Sequence, residues 1–236
     1  MSLYAWIIIG TIAGPIALSF DKKVHFYKYF KFLFPALLIV GLLFILWDEF
    51  FTQNAIWGFT PNYLMGTYIG HLPLEEVLFF LVVPYACVFI YEVLRAYFPN
   101  VKLFRFAHVF AFAFTFGGLF FAMMNLEKWY TVSACSITAL LTIWIYFINK
   151  MKWYANFSFA YVVAIVPFLI VNGILTGALT DEPVVWYSEL HIMGPRIYTI
   201  PVEDLFYNYA MLLPVVGIFE YLKKKWGSQD LVKTNV

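Results

Sequence analysis

Charge is scarce in this chain of 236 residues: Asp, Glu, Lys and Arg make up 12%, against about 25% in an ordinary soluble domain. With 63% of residues drawn from AVILMFWYC, too little polar surface exists to cover a water-soluble monomer, and that class is excluded. Fifteen basic and 14 acidic residues leave a net charge of +1. No basic stripe could neutralise a phosphate backbone, so nucleic acid is excluded as a partner. Cysteine is limited to Cys87 and Cys135, both within apolar stretches and without CxxC or Cys/His spacing. They read as packing residues rather than a structural zinc site. A GxGxxG fingerprint is missing as well, which leaves no basis for a dinucleotide-binding fold. Met1-Ser2-Leu3-Tyr4 has no positively charged n-region, and no small-x-small cleavage site follows. The first apolar segment is therefore expected to stay as a membrane anchor. Aromatic residues, by contrast, reach 22%, with 27 Phe, 17 Tyr and 8 Trp. Any cavity should be walled by rings, which favours a large apolar ligand over a sugar or nucleotide.

Hydropathy predicts an all-α membrane protein with seven transmembrane helices, near 3–20, 32–51, 73–94, 104–124, 129–148, 157–179 and 200–222. Lys22, Lys23, Lys28 and Lys31 fall in the first loop, Arg95, Lys102 and Arg105 in the third, and Lys150 and Lys152 in the fifth. Lys223, Lys224, Lys225 and Lys233 follow the last segment, and the remaining loops hold only Lys128 and Arg196. The positive-inside rule then places the N-terminus outside and the C-terminus in the cytoplasm.

An internal repeat is written in the acids and aromatics. The first half carries Trp47-Asp48, Trp57, Pro73-Leu74-Glu75-Glu76, Phe79, Pro84 and Glu92. The second carries Asp181, Trp186, Pro201-Val202-Glu203-Asp204, Tyr207, Pro214 and Glu220. Glu75 to Glu92 and Glu203 to Glu220 are equal spacings, and each motif proline precedes its first acid by two residues. Both motifs open an odd-numbered helix from the same face, which predicts a 3+1+3 parallel repeat: residues 1–103, a connecting helix within 104–127, and residues 128–236.

Carboxyls at membrane depth cost about 2.5–3.5 kcal/mol each on insertion scales, so Glu75, Glu76, Glu203 and Asp204 require a reason. Acids after a proline can simply open a helix. Capping does not call for the aromatics one turn on, Phe79 and Phe80 in one half and Tyr207 and Tyr209 in the other. Adjacent acids on a helix point about 100° apart, and Glu75 with Glu203 is the pair expected to face inward. Crowded carboxyls in a low-dielectric site cannot all ionise together. A neutral acid against aromatic walls suits protonation of an alkene, the rings stabilising the carbocation and a second carboxylate taking the proton back. Asp48 and Asp181, at the outer ends of the preceding helices, are candidate supporting acids or simply solvated loop charges. Glu92 near Arg95, and Glu220 near Lys223 and Lys224, are expected to form interfacial ion pairs. Asn172 is expected to hold a helix interface more than to orient an acid, and Arg196 to pair with an acid across the sixth loop. His71 and His191 are candidate proton carriers, or hydrated loop histidines.

Over nearly its whole length the chain resembles the membrane-integral, flavin-independent lycopene cyclases, which occur as two small subunits or one fused chain. The resemblance rests on Pro73-Leu74-Glu75-Glu76 with Phe79-Phe80, and on Pro201-Val202-Glu203-Asp204-Leu205 with Phe206-Tyr207, preceded by Asn172-Gly173 and Trp186-Tyr187. Val77 departs from the usual Leu, an exchange between apolar helix residues. The resemblance implies a self-sufficient lycopene β-cyclase of a bacterial inner membrane, with no cofactor, neither flavin nor metal. It would perform a redox-neutral isomerisation in which lycopene enters from the bilayer and its linear ends become β-ionone rings. Glu75, Glu76, Glu203 and Asp204 would be catalytic. Phe79, Phe80, Trp57, Trp186, Phe206, Tyr207, Asn172 and Arg196 would contact substrate or stabilise its cation. A homo-oligomer is compatible with this reading. The rival classes are a proton-coupled transporter, which would want polar residues at several depths, and a non-catalytic carotenoid-binding protein. Residues 200–222 lack the lysine that a retinal Schiff base needs. The acids also lack the D-x-x-x-D style and accompanying cations of a polyprenyl transferase.

Overall fold

Apolar runs of membrane length can satisfy their own backbone only as helices or closed barrels. A computed structural model, which describes the backbone of residues 1–99 and 101–233 and side chains as far as Trp226, shows the helical solution. The side chain of Lys233 and the end of the predicted 128–236 unit, residues 234–236, lie outside the described residues. The helices are α1 (Leu3–Leu18), α2 (Phe30–Gln53), α3 (Leu74–Tyr97), α4 (Phe104–Met124), α5 (Trp129–Thr142), α6 (Tyr154–Leu175) and α7 (Glu203–Lys233). A π-helical turn, Ile143–Ile148, continues α5. Among the described residues, six helices are long and apolar enough to cross a membrane. The first is not one of them: α1 has 16 residues, about 24 Å at 1.5 Å per residue, short of the ~30 Å hydrocarbon core. Its expected extension to residue 20 stops at Ser19, whose hydroxyl turns back to the Pro15 carbonyl at 2.6 Å.

The chain is not purely helical. Three two-stranded antiparallel ladders form in the loops: β1 (Trp57–Phe59) with β4 (Val185–Tyr187), β2 (Tyr68–Ile69) with β3 (Leu72–Pro73), and β5 (Arg196–Ile197) with β6 (Ile200–Pro201). Hydropathy over a membrane-length window is blind to strands of two or three residues. The two hairpins turn at Gly70 and Tyr198, both with positive φ, and deliver Pro73 and Pro201 to the starts of α3 and α7. Pro73 sits at φ −63° with ψ 148°, extended, so the helix opens immediately behind it.

In the bundle α1 packs on α3, α5 on α7, α2 on α7 and α3 on α6, while α4 lies against α5 and α6. The α4–α5 contact is tight at Gly118, where an added Cβ would stand 2.8 Å from the Cys135 carbonyl oxygen. Backbone cannot yield as a flexible side chain can. Gly118→Val is therefore expected to destabilise the bundle by about 1–3 kcal/mol, read as a lowered melting temperature of the detergent-solubilised protein. Most of the core is one continuous cluster drawn mainly from α1, α2, α3, α6 and α7 and rich in aromatic rings.

Candidate active site

The two Pro-x-acid-acid motifs meet at one place, and each splits the work between its acids. On α3, Glu75 is fully buried, and its Oε1 accepts from the Met65 backbone N–H and the Ser2 hydroxyl, both at 2.7 Å. On α7, Glu203 is buried likewise and accepts from the Thr131 hydroxyl at 2.5 Å and from the Met193 backbone N–H. Each first acid thus ties a loop and the start of a neighbouring helix to its own helix. Roughly 100° around the helix, the second acids face a different environment. Glu76 and Asp204 line a single cavity together with Asp48. The expectation that Glu75 and Glu203 face inward is corrected here, because the loop amides capture the first acid of each pair and leave the second to the cavity.

The cavity is about 50 Å3 in volume and is shared by the two halves of the chain. Trp57, Phe59, Phe79, Phe80, Phe168, Tyr4, Tyr130, Tyr187 and Tyr207 supply its rings, with Asn172 and Asn208 as amides. Asp204 is the most heavily bonded acid: Asn172 Nδ2 donates to it at 2.6 Å, Tyr187 at 3.1 Å, and the Tyr130 hydroxyl also donates. Three donors converge on this one carboxyl. Glu76 accepts one bond, from the Tyr4 hydroxyl at 2.6 Å on Oε2. Asp48 Oδ1 accepts from the Trp57 indole N–H and from Thr52, at 3.4 Å, while Oδ2 is buried without a partner. The Tyr207 hydroxyl is also buried and unpaired. Burial, then the neighbouring Asp204 carboxylate, hold the Tyr187 phenol well above its ordinary range, so it remains a neutral donor.

Other expected site residues are placed differently. Asp181 is exposed in the loop after α6, away from the cavity. Its expected role as a supporting acid fails because the helix ends at Leu175, before reaching it, and Asn172 occupies the wall instead. Asn172 orients an acid, the role given second place from sequence. The register of the β1–β4 ladder pairs Trp57 with Tyr187, Gly58 with Trp186 and Phe59 with Val185. Alternate residues face opposite sides, so Trp57, Phe59, Val185 and Tyr187 line the cavity while Trp186 lies outward and half-exposed over Gly58. Phe206 packs against Phe114 and Phe121 in a second cluster rather than lining the cavity. Arg196 pairs across the sixth loop with Glu189 at 2.7 Å and is remote from the acids. Tyr4 and Tyr130 were not singled out from sequence. The available signal was their shared place, each the second residue of a helix and close to a hydroxyl residue, Ser2 or Thr131.

His71 forms an exposed pair with Glu49, and His191 lies in a loop near Trp129, so neither lines the cavity. At the far end of α3 and α7, Arg95 bonds both Glu92, at 3.0 Å, and Glu220, while Lys223 reaches Glu92 at 2.9 Å. The expected Glu92–Arg95 pair forms within α3, whereas Glu220 pairs with Arg95 and Lys223 with Glu92, across the two helices. Among the described residues, no three His, Cys, Asp or Glu side chains are grouped so as to hold a metal ion.

A membrane bundle with one aromatic cavity and paired buried acids is the class that this fold and site define. The lycopene cyclase family model matches residues 1–94 and 127–222, the stretches on either side of α4. The chain belongs to the lycopene cyclase family. Comparison with curated proteins and with solved structures finds no match.

Proposed function

We propose that this protein is a self-sufficient lycopene β-cyclase in a bacterial inner membrane, converting linear ends of lycopene to β-ionone rings. The observation that carries the reading is the convergence of Glu76, Asp204 and Asp48 on one ring-lined cavity that no Lys, Arg or His lines. Three carboxyls without a counter-cation hold at least one proton between them. Glu76 and Asp48 each have an oxygen without a protein hydrogen bond, whereas Asp204 is saturated with donors. In the proposed reaction Glu76 delivers its proton to the terminal double bond of the linear end, giving a tertiary cation. The nearby alkene of the same end attacks that cation and closes the ring, moving the positive charge onto a ring carbon. Faces of Trp57, Phe80 and Tyr207 and the fixed carboxylate of Asp204 stabilise the charge. A carboxylate of the cavity then removes the ring proton, so the proton is returned and no electrons are exchanged. Glu75 and Glu203 act as positioning residues.

The internal symmetry is part of the proposal. Met65–Glu75 and Met193–Glu203 are the same bond 128 residues apart. The β1–β4 ladder pairs Gly58 with Trp186, also 128 residues apart. The α1–α3 and α2–α7 contacts answer those of α5–α7 and α6–α3. These correspondences support parallel three-helix repeats on either side of α4, with units near 1–103, 104–127 and 128–236. The Lys-rich loops support a cytoplasmic C-terminus.

The test is expression of this single chain in a bacterium engineered to accumulate lycopene, with extracted pigments resolved by chromatography and absorbance. β- or γ-carotene is expected. Unchanged lycopene with the protein present in the membrane would overturn the reading, and ε-rings would overturn its product.

A further inference from the structure

At the opposite end of the molecule from the acids, the helices part around a groove of about 860 Å3, far larger than the catalytic cavity. Leu141, Trp144 and Ile145 form one wall, Pro214, Gly217 and Ile218 another, and Trp153 closes the bottom of the loop between α5 and α6. Two local features open it. The chain leaves α5 through the π-helical turn, which widens the backbone where Trp144 and Ile145 sit. Opposite, α7 presents Gly217, whose missing side chain would otherwise stand 3.5 Å from the Trp153 ring.

The rim is cationic. Arg95, Lys150, Lys152 and Lys224 line the groove against a single carboxylate, Glu220, which already accepts from Arg95 and from Tyr91. Lys150 stands in the left-handed region, φ 50°, where a non-glycine residue is uncommon. The turn is nonetheless fixed by bonds from Asn149 Nδ2 to the Trp144 carbonyl at 2.7 Å and from the Met151 N–H to the Ile145 carbonyl at 3.1 Å. Lys150 and Lys152 are exposed and, among the described residues, form no ion pair with an acid. Apolar walls beneath a cationic mouth, with Trp144 and Trp153 at the level where tryptophan anchors to a membrane interface, complement an amphiphile with an anionic head. An uncharged polyene would leave Lys150 and Lys152 without a counterpart.

We propose that this groove binds an anionic phospholipid of the surrounding leaflet, its phosphate held by Lys150 and Lys152 and an acyl chain lying along Ile145, Gly217 and Ile218. The site is separate from the acids and does not depend on the reaction assigned to them.

The test uses the full chain reconstituted in phosphatidylcholine vesicles doped with brominated phosphatidylglycerol or, at the same fraction, brominated phosphatidylcholine. The tryptophan emission lost in a Trp144→Phe/Trp153→Phe variant isolates the signal of the groove. Half-quenching of that signal is expected at a roughly ten-fold lower fraction of phosphatidylglycerol, since each lysine near a surface contributes on the order of 1 kcal/mol. Lys150→Gln/Lys152→Gln should erase the preference. Equal quenching by the two lipids, or a preference that survives both glutamines, would overturn the assignment. Should the double Phe variant misfold, native mass spectrometry of the unaltered protein decides: selective retention of phosphatidylglycerol supports the site, and equal retention refutes it.

Discussion

Replacing Glu76 by Gln is expected to lower cyclisation about 10²–10⁴-fold, the span typical of losing a positioned general acid, with the protein still folded. Gln keeps an oxygen to accept from the Tyr4 hydroxyl, so the aromatic wall stays in place and only the transferable proton is lost. Asp204→Asn should be comparably damaging for a different reason. Its amide nitrogen would confront one of three donors, from Tyr130, Asn172 and Tyr187, that now converge on carboxylate oxygens. Turnover of lycopene in isolated membranes, normalised to protein, distinguishes these from Glu75→Gln, which should keep most of its activity. If Glu75→Gln were inactive while Glu76→Gln turned over normally, the assignment of acid and positioning residue would be reversed.

Glu203→Ala is expected to be among the most damaging substitutions for stability. It removes the acceptor of the Met193 N–H and the Thr131 hydroxyl in a fully buried position. Bonds to a charged acceptor contribute about 1.5–3 kcal/mol each, and the stranded donors add their own desolvation cost, so a loss of about 3 kcal/mol or more is expected. Glu203→Gln should recover much of it, because one amide oxygen can still accept from both donors. Thermal melting of the detergent-solubilised variants checks this. A melting temperature for Glu203→Ala equal to that of the unaltered protein would end the positioning role.

Where periodicity and hydropathy govern, the sequence is readable. The predicted 104–124 helix is α4 residue for residue, and 129–148 is α5 with its π-helical turn, since in both cases the apolar run ends at an Asn- or Lys-containing turn. The four motif acids and Asp48 are all buried. What could not be read is which acid of each pair faces the cavity. Helical geometry fixes only the 100° between neighbours, and the choice is made by the Met65 and Met193 amides, brought close by hairpins too short to register in hydropathy. Trp186 shows the same limit: one residue of strand register exchanges it with Tyr187, sending the larger ring outward. Arg196 and Asp181 lie in the same loop region as the motif and were drawn to it by proximity in sequence. The fold carries both away to exposed positions.

The β1–β4 ladder has one more chemical consequence. Four of its six residues, Trp57, Phe59, Val185 and Tyr187, form a ceiling over the acids, and Thr60 seals its edge, its backbone N–H donating to the Val184 carbonyl at 2.9 Å and its hydroxyl to the Pro183 carbonyl at 2.6 Å. In the proposed reaction, a tertiary carbocation held beneath that ceiling would be shielded from bulk solvent and so from capture as an alcohol. Its remaining course is ring closure and proton loss. Fidelity to a hydrocarbon product would then depend on a pair of three-residue strands as much as on the acids that start the reaction.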